Sequence, residues 1–213
     1  MATPLAHVVF LLDCSGSMSS MRAETQEAFN TFVRTLQKTK GAEIRLTLIE
    51  YRDRPKMIYK AVPIQDVPEL EGYRPNASED ILYDAVHYGV EVAEKVKDTT
   101  KTVIVILCDG GDTSSRRSQD EARCLVEKKR AEGWEFCFMA AGNTGGFYGP
   151  ADIARRIGIP PEAIISYAAT YGQGNDSKAV EAFSASAWNV GAFSSGRAES
   201  VKYTEAQKKA VGG

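Results

Sequence analysis

Short apolar runs alternate along this chain with longer stretches in which apolar residues recur every three or four positions. His7–Leu12 (HVVFLL) is apolar without interruption, the pattern of a strand covered on both faces. From Met21 to Thr39 the apolar residues Ala28, Phe29, Phe32, Val33 and Leu36 keep helical spacing, and Gly41 ends the run. Glu43–Tyr51 alternates, with Ile44, Leu46, Leu48 and Tyr51 apolar, and predicts a strand. Lys56–Ile64 predicts another. Pro55 marks the turn between them, Pro63 places the second at a sheet edge, and the short connection implies an antiparallel hairpin.

The alternation continues. Pro63–Glu79 is polar and reads as loop, and Ile81–Val96 returns to helical spacing through Leu82, Ala85, Val86, Val90 and Ala93. Thr102–Leu107 (TVIVIL) is the second uninterrupted apolar run. Gly110–Ser115 is loop, Gln119–Ala131 helix and Glu135–Ala141 strand; a glycine-rich loop over Gly142–Gly149 follows. Ala151–Ile157 suggests a short helix, Ala163–Tyr167 a last strand and Ser177–Phe193 a closing helix. No internal repeat or domain-dividing linker interrupts the pattern. The expectation is one α/β domain over residues 5–195, then a polar tail over 196–213 with a short helix at Glu205–Val211. Strands alternating with helices imply a mostly parallel sheet covered on both faces. The runs His7–Leu12 and Thr102–Leu107 lack alternation, so they should be its central neighbours.

Composition narrows the function classes. The 213 residues are 43% hydrophobic and 25% charged, as in an ordinary globular protein. Lys and Arg total 26 and Asp and Glu 28, a formal net charge of −2, so no basic excess points to nucleic acid. The four cysteines (Cys14, Cys108, Cys124, Cys137) and two histidines (His7, His87) show no zinc-type spacing. The first residues lack a basic segment, and no apolar run approaches the ~20 residues of a membrane helix. A cytoplasmic location with reduced thiols and no membrane partner is expected.

Candidate chemistry gathers where the two most apolar strands end. His7–Leu12 runs into Asp13-Cys14-Ser15-Gly16-Ser17, and Thr102–Cys108 into Asp109-Gly110-Gly111-Asp112. In open α/β sheets, ligands bind beyond the carboxyl ends of the strands. An aspartate at the end of a buried strand is costly unless it is paired or near a cation, and two together cost more. A divalent cation resolves the repulsion. The donors on offer are carboxylates (Asp13, Asp109) and hydroxyls (Ser15, Ser17), which suit Mg²⁺ or Mn²⁺, with Ca²⁺ the other hard-oxygen choice. Gly16 lets the backbone bend so that both hydroxyls can face one ion.

Asp13-x-Ser15-x-Ser17 after one apolar strand, with Cys108-Asp109-Gly110 after another, resembles the von Willebrand factor type A (vWA) domain over about His7 to Phe193. The resemblance implies a Rossmann-like sheet with one antiparallel edge strand. It also implies a metal-ion-dependent adhesion site completed by a loop threonine, which in relatives lies four residues before the aspartate of Leu-Tyr-Asp-Ala. Here that motif is Leu82-Tyr83-Asp84-Ala85, and the position four before Asp84 holds Asp80. Either Asp80 replaces the threonine or a shifted loop brings Ser78 into the slot. The expected metal residues are therefore Asp13, Ser15, Ser17, Asp80 and Asp109. The resemblance further implies a binding module rather than an enzyme, recruiting a protein partner through its Asp or Glu. The chain looks most like compact bacterial or phage vWA proteins, whose relatives occur with AAA+ ATPase and stress-response systems. The competing classes are a Mg²⁺-dependent hydrolase or phosphoryl-transfer enzyme, and a structural protein with a stabilising metal.

Other residues carry plainer expectations. Asp112 reads as a solvated loop carboxylate or a rim contact of the site. Cys14 and Cys108 read as small semi-buried residues, or as thiols near enough to bridge on oxidation. Cys124 and Cys137 read as packing residues, His7 as structural and His87 as a surface or boundary residue of its helix. Arg22, Arg52, Arg54, Arg116 and Arg117 form a solvated charge face or a rim that selects an acidic partner. The sequons at Asn76 and Asn175 carry no meaning in a cytosolic chain, and Gly142–Gly149 lacks the GxxxxGK[ST] order of a phosphate loop.

Overall fold

The computed structural model describes residues 3–142, 149–168 and 176–212. Its strands are β1 (Leu5–Asp13), β2 (Glu43–Tyr51), β3 (Pro55–Pro63), β4 (Lys101–Cys108), β5 (Glu135–Ala141) and β6 (Ile164–Tyr167). Its helices are α1 (Arg22–Gln37), α2 (Leu82–Glu94), α3 (Gln119–Ala131), α4 (Pro150–Arg156), α5 (Asp176–Ser194) and α6 (Glu205–Ala210). The strands form one six-stranded sheet in the order β3-β2-β1-β4-β5-β6. Every pair is parallel except β2–β3, the edge hairpin. β1 and β4 are central neighbours, as their lack of alternation requires.

Two apolar layers enclose the sheet. Val8, Phe10 and Leu12 of β1 and Val103, Val105 and Leu107 of β4 face one layer, built with α1 and α5. There Phe10 meets Phe29 and Phe32 edge-on, each at 5.1 Å between ring centres, and stacks on Phe183 at 5.9 Å. Val9, Leu11, Ile104, Ile106 and Cys108 face the other, built with α2, α3 and α4. Cys14 lies in the first layer and Cys108 in the second, so the sheet separates the thiols and both are free. Cys137 is buried as expected, but Cys124 lies on the outer face of α3 and is exposed.

Two segments expected to be polar are docked instead, while the short helix expected near Glu205 is present as α6. In the Pro63–Glu79 loop, Ile64, Val67, Leu70 and Tyr73 are buried. Beyond residue 195, Val201, Tyr203 and Val211 are buried in the first layer, and a Ser/Thr-type capping box at Thr204 and Gln207 starts α6. Isolated apolar residues without periodicity carry no element signal, yet each fills a gap in a packed layer.

α1 and α5 approach closely at Gly191, where a Cβ would sit 2.5 Å from Thr39 Oγ1. Thr39 is β-branched, so its χ1 has few alternatives. Gly191→Ala is expected to destabilise the protein by about 1–2 kcal/mol, the overpacking cost exceeding the ~1 kcal/mol gain in helix propensity. Equal or higher stability in urea unfolding would show that Thr39 yields.

Candidate metal centre

β1 and β4 pair in register from Ala6–Lys101 to Leu12–Leu107, so Asp13 and Asp109 follow the ends of adjacent strands. The Asp13 backbone is pinned from below: its carbonyl accepts a short hydrogen bond from the Tyr73 hydroxyl. The Tyr51 hydroxyl donates to the Leu107 carbonyl at 2.6 Å, bracing the end of β4. Neither tyrosine stood out in the sequence, because only the fold brings them under the strand ends.

The turn after β1 is stitched to the segment before α2. Gly16 N–H donates to the Ala77 carbonyl at 2.8 Å, and Ala77 N–H donates to the Cys14 carbonyl at 3.1 Å. A Cβ on Gly16 would lie 3.2 Å from that Ala77 oxygen, so the close approach favours glycine. This stitching delivers Asp80 to the strand ends.

The donor groups converge. Asp13 is fully buried; its Oδ1 accepts the Ser15 N–H at 2.7 Å, and its Oδ2 is buried with no hydrogen-bond partner among the described residues. The Ser15 and Ser17 hydroxyls are 2.9 Å apart, and Ser17 donates to Asp109 Oδ1 at 2.8 Å. Asp80 is 7% exposed, and its Oδ1 is also buried and unpartnered. A carboxylate oxygen of Asp13, one of Asp80 and the Cys108 sulfur all lie within 4.8 Å of one another. The structure thus brings Asp13, Ser15, Ser17, Asp80 and Asp109 to one place. Ser78 lies exposed at the rim, so the aspartate occupies the cluster rather than the serine.

These carboxyls disfavour one another. Burial, then the Asp13, Asp112 and Asp109 charges, pushes Asp80 up to about 8. Burial and Asp13 push Asp109 up to about 6, against the hydroxyl bonds from Ser17 and Ser15. Burial raises Asp13 despite the Ser15 bonds. A cation would reverse all three, and the two unpartnered carboxylate oxygens beside two hydroxyls form a set of hard-oxygen donors that fits one. Cys108 fits less well. Burial holds its thiol far above the usual range, and its sulfur donates to the Gly110 carbonyl at 3.1 Å.

Asp112 is where the structure departs from the first of the two sequence readings, and Asp84 has a role that the sequence did not suggest. Asp112 is not a solvated loop carboxylate. Its Oδ2 accepts the Tyr83 N–H at 3.0 Å at the start of α2, and its Oδ1 accepts the Ser115 N–H at 3.0 Å. Asp84 answers from α2 by accepting the Arg116 and Arg117 N–H groups at 3.0 and 3.1 Å. Thr113 adds a third tie: its hydroxyl accepts the Asp80 N–H at 3.0 Å, and its own N–H donates to the Asp80 carbonyl at 2.9 Å. The loop carrying Asp109 and the loop carrying Asp80 are therefore one hydrogen-bonded unit. Asp112 thereby satisfies the Tyr83 N–H, and Ser115 Oγ accepts the Asp84 N–H at 3.0 Å, at an α2 N-terminus that has no side-chain cap from its own chain neighbour Ile81.

The remaining residues take supporting places. His7 is buried in the sheet, with Nε2 2.8 Å from Thr47 Oγ1, and burial lowers it to about 4. His87 lies half-buried on α2. Arg52 pairs with Glu50 at 3.1 Å and donates to Asn76 at 3.0 Å, so it braces the rim rather than standing free. The middle of the glycine-rich loop, 143–148, and the sequon residue Asn175 lie outside the described residues. No helix among the described residues is long and apolar enough to cross a membrane.

A central mostly parallel sheet, helices on both faces, one antiparallel edge strand and a carboxylate–hydroxyl cluster at the strand ends together define a Rossmann-like α/β fold. The family model of the von Willebrand factor type A domain matches residues 7–145, and the chain belongs to that family. Among solved structures it is similar to proximal thread matrix protein 1 from the mussel byssus, at TM-score 0.61 and 14% identity, covering 91% of this chain and 47% of that one. A second form of that protein, with a zinc-occupied MIDAS motif, matches at TM-score 0.56 and 15% identity over 77% of this chain and 41% of that one. The pilus adhesin SpaC from Lactobacillus rhamnosus GG matches at TM-score 0.66 and 12% identity, over 91% of this chain and 30% of the adhesin. At such identities the likeness is one of fold, and the chain spans less than half the length of each. A comparison with the curated proteins finds no match.

Proposed function

We propose that this vWA domain is a cation-dependent protein-binding module in which Asp13, Ser15, Ser17, Asp80 and Asp109 hold a divalent ion, Mg²⁺ being the first choice. The observation that carries this reading is the pair of buried, unpartnered carboxylate oxygens on Asp13 and Asp80. Orphaned buried acceptors are costly and rare, and a hard cation is the partner they lack. The ion would supply positive charge at an open rim formed by Ser17, Ser78 and Gly111, where a partner's Asp or Glu can reach it. The Cys108 thiol, pushed up by burial and donating to the Gly110 carbonyl at 3.1 Å, supports a hard ion over zinc in this chain. The partner is proposed by its chemistry, a protein carrying an exposed carboxylate; an AAA+ ATPase or stress-response assembly is one setting for such a module, as is an extracellular adhesive one. Neither histidine is placed to act as a general base at the strand ends, which supports binding over catalysis.

Calorimetry with Mg²⁺, Mn²⁺ and Ca²⁺ tests the site. Asp13→Ala is expected to remove measurable binding, and equal affinity in variant and wild type would misplace the ion. Asp80→Thr separates metal retention from partner capture. Losing a carboxylate near the ion weakens Mg²⁺ binding by about tenfold or more, since unit charges ~4 Å apart interact by roughly 4 kcal/mol at an effective dielectric of ~20. The ion left behind is less neutralised, so at saturating Mg²⁺ the variant should take an acidic partner more tightly. Capture from lysate of the source cells in Mg²⁺ against EDTA, with Asp13→Ala as control, reads the second half.

A further inference from the structure

A second surface, remote from the metal centre, is built around the exposed Trp188. It is the only large hydrophobic residue among the described residues that stands exposed, at 60%. Beside it opens a cavity of about 300 Å³ lined by Thr35, Lys38, Thr39, Lys40, Trp188 and Arg197. α1 starts at Arg22, just after the metal-site turn, and reaches this cavity at Thr35, so about 20 Å of helix separates the two.

Arg197 is placed here by the chain's local rules. Gly196, at φ 76°, ends α5 in a Schellman turn, with Gly196 N–H donating to the Phe193 carbonyl at 3.0 Å and Arg197 N–H to the Ala192 carbonyl at 2.9 Å. The turn folds Arg197 back over α5. Its guanidinium lies 5.4 Å from the Trp188 ring centre, and its Nε–H donates to Ser195 Oγ at 2.9 Å. Ser195 is itself anchored to the Gly191 carbonyl at 2.8 Å. The arginine is thus oriented before any partner arrives, which lowers the ordering cost of binding. Among the described residues, Lys38, Lys40 and Arg197 make no ion pair with a carboxylate, and no acidic residue lines the cavity.

We infer that this cavity is a metal-independent docking site for an acidic polypeptide segment that carries an aromatic side chain. The aromatic group fits against the indole and the lysine stems, and flanking carboxylates meet Lys38, Lys40 and Arg197. Charge complementarity chooses this occupant. The walls are cationic, while a nucleic-acid strand needs a longer run of phosphate contacts than these residues offer on a chain of net charge −2. Together with the proposed ion site, the domain would then hold acidic partners at both poles.

The test uses the full chain and a synthetic peptide, Glu-Glu-Phe-Glu-Glu with blocked ends. The chain has two tryptophans, so Trp188→Phe assigns the Trp188 indole N–H resonance. The peptide is expected to shift that resonance saturably, in EDTA as in Mg²⁺, and in Asp13→Ala as in wild type. Lys40→Glu and Arg197→Glu should each weaken binding by about tenfold, as for loss of a complementary charge at a docking site. Lys38→Glu, outside the Schellman turn, keeps the test decisive if Arg197→Glu fails to fold. Absence of a saturable shift overturns the proposal, as does unchanged affinity in the lysine variants. Tighter binding of a short oligothymidylate than of the peptide assigns the surface to nucleic acid instead. Self-association in sedimentation that Trp188→Ser abolishes assigns it to a second copy of the chain.

Discussion

Asp80→Asn is expected to make the metal-free protein more stable than wild type at pH 8, by about 5 °C in melting temperature, and to leave the two nearly equal at pH 4. The sign follows from where the carboxyl titrates. Asp80 titrates near 8 in the folded protein against an ordinary value of 3.8. Its protonated form is favoured on folding, so its contribution is fully present below about pH 4 and is lost as pH rises towards 8. Each tenfold weakening of the acid on folding corresponds to ~1.4 kcal/mol; heavily discounted for relaxation and water, the loss is still a few kcal/mol, or ~2–4 °C for each in a domain of this size. Asparagine keeps the shape and never ionises. Asp109, raised to about 6, adds to the trend over pH 4–6. His7 works the other way: its folded value near 4 means stability is lost as pH falls below 6.5. Comparing variant with wild type at each pH cancels the histidine. The same coupling makes Mg²⁺ binding release protons below pH 8, so the melting-temperature gap between Mg²⁺ and EDTA should widen from pH 6 to pH 8 in wild type and widen less in Asp80→Asn. Parallel pH profiles for the two proteins in EDTA would show that Asp80 does not carry the repulsion.

Asp84→Ala should lower Mg²⁺ affinity by about tenfold although, among the described residues, Asp84 accepts hydrogen bonds only from the loop backbone. Supporting partners of ligating groups typically account for ~10–100-fold in metal affinity. Here the support is the acceptance of the Arg116 and Arg117 N–H groups, which holds the loop carrying Asp109 against α2. The carboxylate also sits in the first turn of α2, where negative charge is favoured. Its removal should cost about 1–2 kcal/mol in stability, near the lower end for charge-assisted bonds because the site is partly solvated. Asp84→Asn keeps one good acceptor and should fall between. Glu91→Ala, on the same helix and paired at 4.0 Å with the Arg117 side chain, serves as the control and should leave the affinity unchanged. Wild-type affinity in Asp84→Ala would mean that the ties from Asp112 and Thr113 hold the loop alone.

The legibility of this molecule in its sequence follows the physics of each feature. The strands β1 and β4 could be read because a run buried on both faces must be apolar at every position, and their lack of alternation also placed them at the sheet centre. The edge position of β3 was legible in Pro63, which cannot donate to a ladder. Asp13 and Asp109 stood out because a carboxylate abutting such a strand is costly without a partner. Asp112 could not be read this way. An aspartate in a glycine-rich loop has the same local pattern whether it faces water or caps a helix from another part of the chain, and the α2 N-terminus it caps is 29 residues away.

The sequence alone determined the α/β architecture and the strand-end position of Asp13 and Asp109, because these depend on local periodicity and on residues set directly against strands; the Asp80 departure was legible only through the resemblance to the vWA pattern. Only the tertiary structure decided that Asp80 rather than Ser78 enters the cluster, that the sheet separates Cys14 from Cys108, and that Val201, Tyr203 and Val211 belong to the core. Those outcomes depend on which chain segments meet across the sheet and on the stitching of Gly16 to Ala77, contacts between residues far apart in sequence that leave no periodic trace in it.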